Sequence, residues 1–410
     1  MMHETSRPMT GSRQQNLLLM VVVLSLAATA GLFFAYLDQS EFFYGRLSRG
    51  QMFGRDFASF WTASQLALAD RIAEIFDAEA FHRALSEITG RAITLSPFPY
   101  PPHALVFFLP LALLPYAWAF AAWMIGLWVL YALVAARGGA NAYRALVLLI
   151  APSTVLTVTM GQNGFLSAIL FVGGMNLLWR APIWAGILFG LLTFKPQLGL
   201  LIPVALLAGC HWRAVASASA TAVVLLGGSL IVLGAETWEL YLSTTVPFQR
   251  LIMEQWTGAL TQMVPSPFMA ARLLDLGVPL GYAVQALSLL VAAAGVAWAF
   301  RGRVEQELQT ATVLVATFLA TPYIFNYDMT LLSVAIIYLV RRGLDRGFVP
   351  GERWLLGFAW LLPLLMMYLH AIFPVAPFVL AALFAVTLYH VRQARSITPI
   401  SMGHSQRSLV

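Results

Sequence analysis

Charge is what this sequence has least of. Asp, Glu, Lys and Arg make up 10% of its 410 residues, against 60% apolar residues, and the mean hydropathy is +0.78. A soluble domain carries charge on about a quarter of its residues, so this supply is too small to cover a water-facing surface. Intrinsic disorder fails for the opposite reason, because the chain is far too apolar. Cysteine is nearly absent as well. Cys210 stands alone, which excludes a disulfide-built secreted scaffold. Lysine is equally scarce: Lys195 is the one lysine among 24 basic residues. The formal charge of +6 is spread in ones and twos, so no nucleic-acid-binding surface is expected. No P-loop, G-x-G-x-x-G or G-x-S-x-G motif occurs, which argues against ATP, NAD and serine-hydrolase chemistry. The seven histidines show no ligand spacing, so no metal site and no cofactor are expected.

What the sequence has in quantity is long apolar runs. They predict an all-α polytopic membrane protein of about twelve transmembrane helices, each needing about 20 apolar residues and several falling short of that. The runs lie at about 17–37, 116–136, 144–159, 164–179, 182–194, 196–210, 213–234, 278–300, 309–323, 328–341, 353–371 and 374–392. Ala-Thr-Ala at 28–30 imitates a signal-peptide cleavage site, but the apolar run continues past it, which favours a retained anchor. The domain reading is a cytoplasmic tail over 1–16, a single membrane domain over 17–392 and a second tail over 393–410. Short runs in pairs, broken by Gly, Pro or polar residues, suggest helices that stop part-way and line a cavity. Every second connection is short and rich in Arg, and the intervening ones taken together are net acidic. The positive-inside rule then puts both termini in the cytoplasm and the long loops 38–103 and 235–277 outside, as expected for a plasma-membrane protein. Within the first loop, 62–90 reads as one amphipathic helix lying at the membrane interface. The Pro-rich stretch 96–103 reads as a rigid, non-helical lead back into the membrane.

Polar groups near membrane depth are expensive, and here they gather. This topology brings four motifs to the outer face: Arg55-Asp56, Gln162-Asn163, Lys195 with Gln197, and Asn326 with Asp328. His103, Tyr100 and His370 fall near the same level. Carboxylates, amides and a cation opening on one surface suit an anionic or sugar-like substrate. Each residue also has a plainer role open to it. Asp56 could cap the following helix, Lys195 could snorkel to the interface, Gln162-Asn163 could form a tight turn, and Asn326 and Asp328 could cap the next span.

Read together, the motifs resemble glycosyltransferase family 87. The resemblance rests on GRDFASFWTASQLAL, IFDAEAF, FPYPPHALVFFLPLALLPYAWA, MGQNGFLSAIL, AGILFGLLTFKPQLGLLIP and ATPYIFNYDMTLL, in that order. It implies a GT-C fold and transfer of a hexose, typically mannose, from a polyprenyl-phosphate sugar to a lipid or glycan acceptor. It also implies Asp56 as general base of an inverting displacement, with Lys195, Arg55 and His103 on the donor phosphate. Gln162, Asn163, Gln197, Asn326 and Asp328 are implied in sugar or acceptor binding. No metal is implied. The lipid-phosphate sugar is a co-substrate rather than a cofactor, and membrane lipids are the other expected partners. A multi-pass transporter, a lipid-linked glycan flippase and a glycan polymerase are the competing readings of the same apolar, polar-tipped pattern.

Overall fold

Where there is no water, backbone N–H and C=O groups have to pair within the chain, and a helix pairs them locally. The computed structural model describes residues 54–89, 98–136 and 142–397, and all regular structure among them is helical. The expected first span at 17–37, the tail at 1–16 and the end of the second tail lie outside the described residues. Among the described residues, five helices are long and apolar enough to cross a membrane: Tyr116–Ala136, Trp212–Leu233, Val278–Phe300, Glu352–Leu369 and Ala376–Ser396. Each falls on an expected run. On Trp212–Leu233, Ile231 is 86% exposed and Val232 78%, a surface that suits lipid tails rather than water.

The other expected runs within the described residues fold as shorter helices. Three of them form the centre of the protein: Gly164–Leu177, Gln306–Ala320 and Thr330–Arg346. Most of their hydroxyls are turned onto the chain itself. Thr310, Thr312 and Thr317 each donate to the carbonyl four residues back, at 2.7 to 2.9 Å. The Ser153 and Ser333 hydroxyls meet at 2.9 Å, and Tyr131 donates to the Thr330 carbonyl at 2.9 Å.

Two expectations are corrected. The run at 144–159 is two helices, Ala142–Leu149 and Pro152–Met160, rather than one. Pro152 has no N–H to give and holds Ala151 extended at φ −60°, ψ 145°. The carbonyls this frees are paired from elsewhere. Leu148 accepts from the Thr154 hydroxyl at 2.7 Å and Leu149 from the Trp128 indole at 3.1 Å. The segment 62–90 is likewise divided, into Arg55–Leu68, Ile72–Phe76 and Ala78–Thr89. Asp70 takes a left-handed φ of 59°, which stops the first helix. Of these, Ala78–Thr89 keeps the amphipathic pattern, with Phe81, Ala84 and Leu85 buried and Glu79, Arg83 and Glu87 exposed.

The central helices carry polar groups at both ends. At one end, Glu305 pairs with Arg342 and Arg346, and Arg341 pairs with Glu307 and Asp345. These residues line a cleft of 350 Å³, and its three guanidinium groups are matched by three carboxylates. Beside it Glu352 is held by His390 at 2.9 Å and by the Val349 N–H at 2.7 Å. The other end, one length of Thr330–Arg346 or about 25 Å away, holds the residues considered next.

Candidate functional site

Three tight turns and one helix start meet at this end. Arg55–Leu68 begins after Gly54, and Asp56 lies in its first turn, where the helix dipole favours a carboxylate. The N-cap is Gly54, so the plain capping role foreseen for Asp56 does not describe it. The Arg55 side chain lies outside the described part. The 161–163 turn ends Pro152–Met160 with Gly161 left-handed at φ 72°, and Gln162 N–H closes the turn on the Thr157 carbonyl at 2.9 Å.

These two elements are locked back to back. Gly54 N–H donates to the Thr159 carbonyl at 3.1 Å. A Cβ on Gly161 would stand 2.6 Å from Phe57 Cβ and 3.0 Å from Gly54 Cα. A Gly161→Ala variant is therefore expected to lose at least about 1–2 kcal/mol from the left-handed conformation alone. The added contact has backbone on its far side and cannot yield cheaply. A fall in the thermal unfolding midpoint in detergent, accompanied by lost activity, checks this.

Lys195 ends the short turn Leu192–Phe194, immediately before Pro196 breaks the helix. It does not snorkel outward. Only 3% of its side chain is exposed, and Nζ donates to Asp328 Oδ1 at 2.5 Å and to Asn163 Oδ1 at 3.2 Å. The ammonium also lies 5.1 Å from the centroid of the Tyr327 ring. Asp328 does two jobs at once. Its Oδ2 accepts the Phe325 N–H at 3.3 Å, which closes the short turn Asn326–Met329 rather than capping the span Thr330–Arg346, while Oδ1 takes the lysine. Asp328 is fully buried, so this pair is out of water and has to be matched in charge.

The remaining link runs through the 161–163 turn. Gln162 Nε2 donates to Asp56 Oδ2 at 2.8 Å. A continuous polar line thus passes from Asp56 through Gln162 and Asn163 to Lys195 and Asp328. All four sequence motifs contribute to it. The other position named with Lys195, Gln197, is half-buried and has no hydrogen bond to this line among the described residues. Asn326 is buried behind the line. Its Nδ2 donates to the Pro363 carbonyl at 3.1 Å, and its backbone N–H to the Met263 carbonyl at 2.9 Å.

His103 is set to one side, in the turn Pro102–Ala104, with its ring stacked on Trp238 at 5.7 Å. His370 accepts the Ala376 N–H at 3.3 Å and so starts the last helix.

Aromatic side chains wall the line, and sequence reasoning passed most of them over. Asp56 and Asp328 both lie within electrostatic reach of the Tyr100, Tyr323 and Tyr327 hydroxyls. Tyr100 lies next to Asn163 and stacks on Phe194 at 6.2 Å, and Phe325 stacks on Tyr327 at 5.3 Å. The signal for Tyr323 and Tyr327 was present as alternate aromatics in the PYIFNYD tip. For Trp238, which comes from the second long loop, there was none beyond its being a tryptophan. Among the described residues no cluster of three His, Cys, Asp or Glu side chains is arranged to hold a metal ion.

Carboxylates and a lysine, joined by amides and walled by phenols, can accept a proton at one end and meet negative charge at the other. A model of glycosyltransferase family 87 matches residues 98–322. No curated protein and no solved structure matches the chain.

Proposed function

The chain belongs to glycosyltransferase family 87, and from there we propose that it moves a hexose, mannose in the first instance, from a polyprenyl-phosphate donor to a lipid or glycan acceptor. Asp56 is the general base. The acceptor hydroxyl gives its proton to the Asp56 carboxylate as its oxygen bonds to the anomeric carbon. The bond from that carbon to the phosphate oxygen breaks, and polyprenyl phosphate leaves with the electron pair. A single displacement inverts the anomeric centre, and a leaving group that carries its own charge needs no acid to protonate it.

The observation that carries this reading is the polar line from Asp56 to Lys195 and Asp328. An ammonium has three N–H donors. Among the described residues Asp328 and Asn163 occupy two of those on Lys195, and the third is assigned to a phosphate oxygen. Arg55 and His103 complete the donor-phosphate set in this reading. Gln197 serves the sugar or acceptor in this reading, Asn326 supports the line from behind through the Pro363 carbonyl, and Asn163 and Asp328 hold Lys195 in place. The reading keeps about twelve spans, both termini in the cytoplasm, an interfacial helix in the first outer loop and the site on the outer face of the plasma membrane.

The test is incubation of the purified protein with polyprenyl-phosphate mannose and a panel of acceptor lipids, followed by mass spectrometry. A product heavier by one hexose, formed as polyprenyl phosphate is released, is the expected result. Movement of labelled substrate across proteoliposomes with no consumption of the donor would replace this function with transport.

A further inference from the structure

Gln162 is the residue whose surroundings fit its expected role least. Both ends of its amide are already engaged. Nε2 donates to Asp56 Oδ2 at 2.8 Å, and Oε1 accepts the N–H of Asn163 at 3.3 Å. The assignment of the two ends follows from chemistry. A backbone N–H only donates and an ionised carboxylate only accepts, so the oxygen has to face Asn163 and the nitrogen Asp56. The side chain is 7% exposed, and its backbone is pinned by the Thr157 carbonyl and by left-handed Gly161. A buried amide spent in this way has little left for a sugar hydroxyl.

It has, however, a consequence for the carboxylate it holds. The terminal torsion of an aspartate is broad, so an unrestrained carboxylate rotates about Cβ–Cγ. The hydrogen bond from Gln162, anchored on a turn that is itself wedged against Gly54 and Phe57, restrains that rotation at Oδ2. We infer that Gln162 is a positioning residue for the general base, aiming the Asp56 carboxylate at the acceptor hydroxyl, rather than a sugar contact. This rests on Asp56 being the base. It extends to Asn163, whose N–H orients the Gln162 amide while its own side chain receives Lys195. The 161–163 turn therefore sets the base and the cation at a fixed separation. Reactions of this kind lose about 100-fold for a misplacement of about 1 Å.

Two variants test it. Gln162→Leu removes the donor but keeps the apolar packing. Turnover is expected to fall by about 10- to 100-fold, with KM for donor and acceptor each within about twofold of the parent. Gln162→Glu replaces the donor by a carboxylate facing Asp56. Two like charges at this distance share one proton more readily than isolated groups do. Among the described residues, the other charged and titratable groups about the pair are the Lys195–Asp328 pair and the phenols of Tyr100, Tyr323 and Tyr327. As pH falls from about 8 to about 6, the introduced carboxyl gains a proton and donates to Asp56 again. The Gln162→Glu variant is therefore expected to recover turnover relative to the parent over that range, and Gln162→Leu to show no such recovery. A merely structural role predicts no pH-dependent recovery. Unchanged turnover in Gln162→Leu, or a raised KM at unchanged kcat, overturns the inference, the second outcome in favour of a sugar contact. If Gln162→Leu fails to fold, the pH response of Gln162→Glu decides alone. Failure of the underlying reading is seen separately, as an Asp56→Asn variant that still turns over.

Discussion

Asp56→Asn is expected to lower turnover by about 10²- to 10⁴-fold, the usual contribution of a positioned general base. The substitution is nearly isosteric. Its amide oxygen still accepts the Gln162 hydrogen bond, so the 161–163 turn and the start of Arg55–Leu68 keep their contacts. Donor affinity and the unfolding midpoint are accordingly expected to stay near those of the parent. Initial rates with polyprenyl-phosphate mannose, set beside donor binding in detergent, separate the two effects. Near-normal turnover in this variant would sink the role given to Asp56.

The second large effect is expected at Lys195. Removal of its ammonium in Lys195→Ala leaves the Asp328 carboxylate buried, with the Phe325 N–H still donating to it but no cation beside it among the described residues. Breaking such a pair from one side costs about 3–5 kcal/mol, mostly because a charge is left uncompensated in a dry site. The unfolding midpoint should fall sharply, and activity with it. This alone does not separate a structural lysine from a phosphate contact. The double variant Lys195→Met with Asp328→Asn does, because it removes both charges and restores neutrality. Its stability is expected to return to within about 1–2 kcal/mol of the parent, as replacement of a buried ion pair by neutral groups often allows. Its donor KM should remain raised, since no cation faces the phosphate. A stable double variant with normal donor KM would reduce Lys195 to a packing element. The two residues share partners, so their single effects are not expected to add.

The fold was legible in the sequence wherever a local pattern decides it. Apolar length found the five long helices among the described residues, and Pro and Gly marked the turns at 161–163 and 194–197. It misjudged continuity. Nothing before residue 70 announces that Asp70 will leave helical space, and a Pro inside an apolar run, as at 152, leaves a kink and a break equally open. Lys195 was misjudged in its plain reading too. A lysine at a span end normally reaches outward, and it turns inward here because Asp328 offers a full charge where solvent would offer a dipole.

The sequence by itself determined the solvent of this protein and the scarcity that makes its few charges informative. Both are properties of composition, and helices at this scale form from neighbours along the chain. Only the tertiary structure decided which polar group holds which. Gln162 and Asp56 are 106 residues apart in sequence, and Lys195 and Asp328 are 133 apart. A hydrogen bond depends on ångström distances that no spacing over such lengths encodes. For that reason the glutamine named as a sugar contact is found on Asp56, and the lysine for which an outward reach was the plainer reading is found buried against Asp328.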